Sequence, residues 1–213
     1  GLGKKDELTL EKVRKACARA VKKANDYKIE KVAVEIVQDE SLKRTIDVIA
    51  KVQTEACIMA LYAFDKYITT AKEKRITIEE ITFFSEFNNL KKFAKQIEEG
   101  IKVGSIIGKA VHCARDLGNE PSNVLYPEEL ANRIKKLGKQ RGYAVRAFAM
   151  NELQKMGMGG IIAIGKGSKN GPYLIEMRYN GGKKGDAPVV VVGKGVTFDS
   201  GGISIKPSAG MEA

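Results

Sequence analysis

Apolar side chains recur early in the chain at Leu10, Val13, Cys17, Ala20 and Val21. That spacing predicts a helix over residues 9–24, with Thr9 placed to cap its start. Residues 32–37 form a short β-branched run and predict a strand. A second helix follows, its packed side marked by Ile46, Ile49, Ala50, Gln53, Ala56, Cys57 and Ala60. Over residues 75–83, Ile76, Ile78, Ile81 and Phe83 sit among polar neighbours, which is a strand pattern. The opening third thus predicts an α/β layer whose first strands lie outside this sequence.

Residues 90–116 read as one long helix, interrupted only by Gly100, Gly104 and Gly108. A helix of that length between two α/β patterns predicts a domain connector. Pro121 ends it, because proline cannot continue a helix and biases the residue before it to extended geometry. Pro127 then opens another helix, with Glu128 and Glu129 in the first turn where the helix dipole favours acids. From Tyr143 onward the pattern turns strand-rich, with short apolar runs at 143–148, 160–164, 173–179 and 188–193. Val189 to Val192 is apolar at consecutive positions and predicts a central strand covered on both faces. Strands alternating with helices imply a three-layer α/β arrangement. No repeat or low-complexity segment is present.

Composition narrows the class without naming a function. The 213 residues are 43% hydrophobic and 30% charged, a globular balance, and no apolar run reaches the roughly 20 residues of a membrane span. No apolar signal core follows the opening Gly1. The three cysteines, Cys17, Cys57 and Cys113, form no CxxC pair, so neither a disulfide framework nor a zinc knuckle is indicated and a reducing compartment fits. The net charge is +11. Such a charge permits nucleic-acid binding, but the lysines, such as Lys12, Lys15, Lys22 and Lys23, scatter along solvated helix faces. No recognised nucleic-acid motif accompanies them.

Two glycine-rich stretches resemble phosphate loops and fail on inspection. Residues 160–166 match GxxxxGK, but Gly167 stands where a Ser or Thr must meet magnesium, and the middle residues read as strand. Gly193-Lys194-Gly195 lacks the third glycine of a dinucleotide fingerprint. The lone His112 sits in the connector helix beside Val111 and Cys113 and reads as packed or capping. Asn119 and Asn123 read as turn residues.

The final stretch, Val192-Gly193-Lys194-Gly195-Val196-Thr197-Phe198-Asp199-Ser200-Gly201-Gly202-Ile203-Ser204-Ile205-Lys206-Pro207, carries the chemistry. An expected buried strand delivers Lys194 at its end, Asp199 five residues on, and Lys206 seven beyond that. Strand ends are where open α/β sheets place their sites. The run resembles the signature of the cytosolic leucine aminopeptidase family. Residues 115–127, beginning Arg115-Asp116-Leu117-Gly118-Asn119, are similar to the family's entry into its catalytic domain. Residues 157–168 and 174–179 look like it as well. The likeness is strong from about residue 89 and looser before it.

The resemblance implies a partial macro-like N-terminal α/β domain over residues 1–88 and a connecting helix over 89–118. The first part of a three-layer α/β/α catalytic domain would occupy 119–213. It implies that Lys194 is a metal ligand, that Asp199 bridges two metals, and that Lys206 is the catalytic lysine facing the substrate carbonyl. Each role is physically reasonable. A lysine binds a cation only as the neutral amine, which at pH 7 costs about 4–5 kcal/mol that a metal can offset. Asp199 has two oxygens to share between ions, and Lys206 would act as a fixed cation beside a developing oxyanion. Lys166 is a decoy without a following acid. The implied enzyme is a cytoplasmic exopeptidase, hexameric at full length, using zinc or manganese to cleave peptides with a free N-terminus. Two further motifs of the family are missing: a metal carboxylate beyond Ala213, and an NTDAEGR-type segment whose arginine is associated with bicarbonate. Glu212 corresponds to a non-ligand position. The 213 residues are therefore expected to be a truncated piece, inactive alone. The alternative is a basic α/β module that binds nucleic acid without catalysis.

Overall fold

The computed structural model describes residues 1–70, 75–85 and 90–211. They form two compact units, Gly1–Asn119 and Glu120–Ala213.

In the first unit, α1 (Leu10–Asp26), β1 (Lys31–Glu35), α2 (Ile46–Ala60), β2 (Glu80–Phe84) and α3 (Leu90–Asn119) follow one another, with two short 3₁₀ turns before α1 and α2. Thr9 caps α1 as expected, its Oγ1 accepting the Lys12 amide at 3.3 Å. The apolar stripe Val13, Cys17 and Val21 is buried and meets Ile49, Ala50, Ala56 and Cys57 of α2 in the core. β1 and β2 pair in parallel, Lys31 opposite Glu80 and Glu35 opposite Phe84.

Gln53 is the polar centre of this core and is fully buried. Its side-chain oxygen accepts the Val37 amide at 3.1 Å, while its Nε2 donates to the Glu35 carbonyl at 2.8 Å and lies 3.5 Å from Cys17 Sγ. One side chain thus closes the end of β1 onto α2, satisfying backbone groups that would be costly to bury alone.

The strand expected over residues 75–83 is shorter and later than its apolar alternation suggested. Asn25 explains the difference: its amide donates to the Arg75 carbonyl at 2.8 Å and its oxygen accepts the Thr77 amide at 2.9 Å. Backbone groups held by a side chain are not available to a sheet ladder.

α3 runs through Gly100, Gly104 and Gly108 without a break. These glycines are where it approaches α2 most closely. A Cβ on Gly100 would strike the Asp47 carbonyl oxygen, one on Gly104 would stand 2.5 Å from the Lys51 carbonyl oxygen, and one on Gly108 2.8 Å from Ile58 Cγ2. The four-residue spacing puts all three on one helix face. His112, on the next turn, donates from Nε2 to the Ile58 carbonyl at 2.8 Å. It is a packing residue, in keeping with its reading from sequence.

The second unit contains α4 (Pro127–Arg141), β3 (Ala144–Phe148), α5 (Met150–Lys155), α6 (Gly159–Gly165), β4 (Leu174–Arg178) and the short α7 (Ser208–Met211). Arg133 clamps the turn before α4, donating to Glu120 Oε1 at 2.9 Å and Glu129 Oε1 at 2.7 Å. β3 and β4 pair antiparallel.

Two expected strands in this unit take other conformations. Residues 160–164 lie in α6, where Ile162 donates to the Met158 carbonyl at 3.2 Å. A short apolar run has no period that separates a strand from a helix turn. Residues 188–193 form no strand or helix, and Val189 to Val192 are 75–92% exposed. Among the described residues β3 and β4 pair only with each other, leaving this run no strand beside it.

Candidate metal centre

Lys194, Asp199 and Lys206 lie in the segment that follows this valine run. The sequence between the last two folds into a tight loop that depends on its glycines. Asp199 Oδ1 accepts the Gly201 amide at 2.9 Å, and the Lys206 amide donates to the Ser200 carbonyl at 2.8 Å. Between those bonds the chain reverses through Gly201 at φ 88° and Gly202 at φ 69°. That left-handed region strains residues with a Cβ. A Cβ on Gly201 would also press on the Ser204 carbonyl oxygen.

The reversal brings the two charged ends together, Lys206 Nζ standing 3.8 Å from Asp199 Oδ2. The Asp199 carboxyl is held below the usual aspartate range, first by the Gly201 amide, then by the positive charge of Lys206, with Lys194 adding in the same sense. Asp199 is therefore ionised at neutral pH, the state a metal ligand needs. The sequence marked the three charged residues and the paired glycines. The Ser200 carbonyl, which closes the loop, carried no signal a pattern search would find.

Asp199 oxygens and the Lys194 amine suit a divalent transition metal in kind. They do not suit one in number. Such ions take roughly four to six donors, and among the described residues no group of three His, Cys, Asp or Glu side chains gathers to hold one. Glu212 lies outside the described residues, and Lys166 follows α6 as an exposed residue with no acid bonded to it among the described residues.

Residues 112–213 match the catalytic-domain model of the cytosol aminopeptidase family, and residues 1–71 match that family's N-terminal-domain model. The chain belongs to the cytosol aminopeptidase family. It is 34% identical over 215 residues to a probable cytosol aminopeptidase of Alkaliphilus oremlandii and 38% identical over 216 residues to one of a Geobacter species. All of this chain aligns in both cases, and it spans 42% of those relatives' length.

Solved structures of similar shape include the bottromycin maturation enzyme BotP in complex with Mn. The TM-score is 0.78 at 27% identity, covering 98% of this chain and 41% of that one. A tomato leucine aminopeptidase mutant shares the fold at TM-score 0.75 and 21% identity over 89% of this chain and 37% of its own. The α/β class expected from sequence holds for this member of the family. No helix among the described residues is long and apolar enough to cross a membrane.

Proposed function

We propose that this chain contributes the N-terminal domain and the opening of the active site to a metal-dependent aminopeptidase that releases N-terminal residues, leucine among them, from peptides. The observation that carries the reading is the loop of Asp199 and Lys206, drawn together by the Gly201 and Ser200 backbone bonds in a chain of this family. In this reading residues 1–88 form the N-terminal domain, 89–118 connect, and 119–213 begin the catalytic domain.

Lys194 and Asp199 would hold two divalent ions, manganese or zinc, together with ligands supplied by the rest of the polypeptide. Bound metal supplies a water acid enough to attack a peptide carbonyl at neutral pH. The remaining work falls to side chains. Lys194 has to lose its proton to act as a donor, so it serves only when an ion replaces that charge. Asp199 keeps its negative charge, and its amide bond from Gly201 fixes the direction in which the free oxygen lone pairs point. Lys206 keeps its proton and presents a cation to the carbonyl oxygen as negative charge grows there. Lys206 pairs with Asp199 at 3.8 Å, which holds its ammonium close to the residues that would take the ions.

The same reading carries a cytoplasmic location, a homohexamer at full length, and a bicarbonate in the full-length enzyme. The test is hydrolysis of a leucyl amide by the full-length protein with manganese. Activity there, absent from the 213-residue chain and lost with Asp199→Asn, is the expected result. A metal-loaded full-length protein with no aminopeptidase activity, or an Asp199→Asn variant that keeps it, would sink the reading.

A further inference from the structure

The first unit carries a second concentration of charge. A cleft of about 350 Å³ opens beside α1 and α2, lined by Arg14, Lys15, Arg19 and Lys22 of α1 and by Arg115 of α3. That volume lies within the ordinary range of small-ligand sites. Small residues make the hollow: Ala18 on α1 and Ala56 and Ala60 on α2 form its floor with Met59. On α1, Lys15, Arg19 and Lys22 fall at spacings of four and three residues, which stack them on one side of the helix.

The charges are not balanced within the protein. Glu11 lies 3.6 Å from Arg14 and 3.7 Å from Lys15, and Glu55 lies 3.4 Å from Arg14. Arg115 spends its hydrogen bond on the neutral Met59 carbonyl at 2.8 Å and rests over the Tyr62 ring. Arg19 and Lys22 make no ion pair among the described residues. Five cations thus face two carboxylates. Arg14 Nη1 is shut off from solvent with no hydrogen-bond partner, so its charge adds to that excess.

We propose that this cleft binds a small phosphate-bearing molecule, whose oxygens are taken by Arg19 and Lys22, with the positive charge of Arg14 and Arg115 beside them. Phosphate suits the donors because a guanidinium fork meets two oxygens at once and the lysine adds a point charge. An apolar floor lowers the local dielectric and strengthens each of those contacts. A ligand of several negative charges would neutralise the excess that the protein leaves. The site shares no residue with the candidate metal centre and does not rest on the peptidase reading.

The test is calorimetric titration of the purified, metal-free protein with inorganic tripolyphosphate at moderate salt. Saturable binding of one ion per chain is expected, weakened roughly tenfold or more by the exposed double substitution Arg19→Glu with Lys22→Glu. A control of equal charge change placed away from the cleft, Lys4→Glu with Lys5→Glu, should bind as the parent does. Circular dichroism identical to the parent keeps the comparison fair. Equal weakening by both double variants would overturn the proposal, as would the absence of saturable binding. Tight binding of a single-stranded oligonucleotide by a protein that ignores tripolyphosphate would overturn it in favour of a nucleic-acid surface.

Discussion

Lys206 Nζ stands 3.8 Å from Asp199 Oδ2 across a loop closed by the bond between the Lys206 amide and the Ser200 carbonyl. One ion pair is therefore built from two residues with opposite expected tasks, one to attract cations and one to remain a cation. In the full-length protein, Lys206→Met should lower kcat by about 100- to 1,000-fold, the loss typical of removing one oxyanion-stabilising group. Manganese affinity should persist, because the proposed role of Lys206 is toward the substrate carbonyl and not the ions. Asp199→Asn should lose manganese first and activity with it. Steady-state kinetics beside metal titration separates these outcomes; a Lys206→Met protein that has lost its metal would contradict the assignment.

The glycines of α3 make a prediction with opposite signs along one helix. Gly104→Ala forces a methyl within 2.5 Å of the Lys51 carbonyl oxygen, so α3 must move off α2. Overpacking of this kind costs about 1–3 kcal/mol. Gly118 lies in the same helix, and a methyl placed there would have nothing within 4 Å. Gly118→Ala should stabilise by about 0.5–1 kcal/mol by lowering the entropy of the unfolded chain. Urea midpoints of the two variants should move apart; movement in the same direction would refute the packing account.

Much of this was legible in the sequence, for identifiable reasons. Helices α1 and α2 carry long apolar periods, Thr9 caps α1, and Pro127 with two acids opens α4. The three charged site residues stood out because they belong to one long, specific run. What failed was short and depended on partners. Arg75 and Thr77 were claimed by Asn25, contacts across 50 and 52 positions that no local pattern encodes. Residues 160–164 were too few to reveal a period. The glycines of α3 read as interruptions because their purpose lies on α2. The cations of α1 read as a solvated face, and the hollow between them is visible only once Ala18 meets Ala56 and Ala60.

Gln53 gives a sharper test of the core. Replacing it with Leu keeps the volume near constant but leaves the Val37 amide and Glu35 carbonyl without their partner. Each unsatisfied buried group costs about 1–3 kcal/mol. Gln53→Leu should therefore destabilise the first unit while Gln53→Glu, which keeps one acceptor, loses the bond to Glu35 and adds a buried charge. Both should lower the thermal midpoint, and unchanged hydrogen exchange at the Val37 amide in Gln53→Leu would count against this role.

Acid should loosen the parallel strand pair in a defined way. Glu80 Oε2 lies 3.2 Å from Lys31 Nζ in the neighbouring strand. That hydrogen bond, then one from Thr82 and the lysine's charge, hold the Glu80 carboxyl below the usual glutamate range. A depressed carboxylate adds stability that is present above its unfolded-state pKa and lost as pH falls through the folded value. NMR titration should place the Glu80 midpoint below that of a free glutamate, and Lys31→Met should raise it. A midpoint indifferent to Lys31→Met would remove the pair as the cause.

The run from Val189 to Val192 poses the last question, because four consecutive valines lie 75–92% exposed. Exposed apolar runs of high β-propensity and no charge are templates for association between chains. Val191→Lys should raise the concentration at which the 213-residue chain stays monomeric by light scattering, since a charge on such a run opposes strand stacking. Hydrogen exchange should find the amides of 189–192 unprotected here, while those of Ala144–Phe148, paired with β4, exchange slowly. In the full-length protein the run should become protected, because an unbroken apolar stretch is the pattern of a strand covered on both faces. Val191→Lys should then be damaging where it was helpful before. Rapid exchange of these amides in the full-length protein would show that the valines serve a surface rather than a sheet.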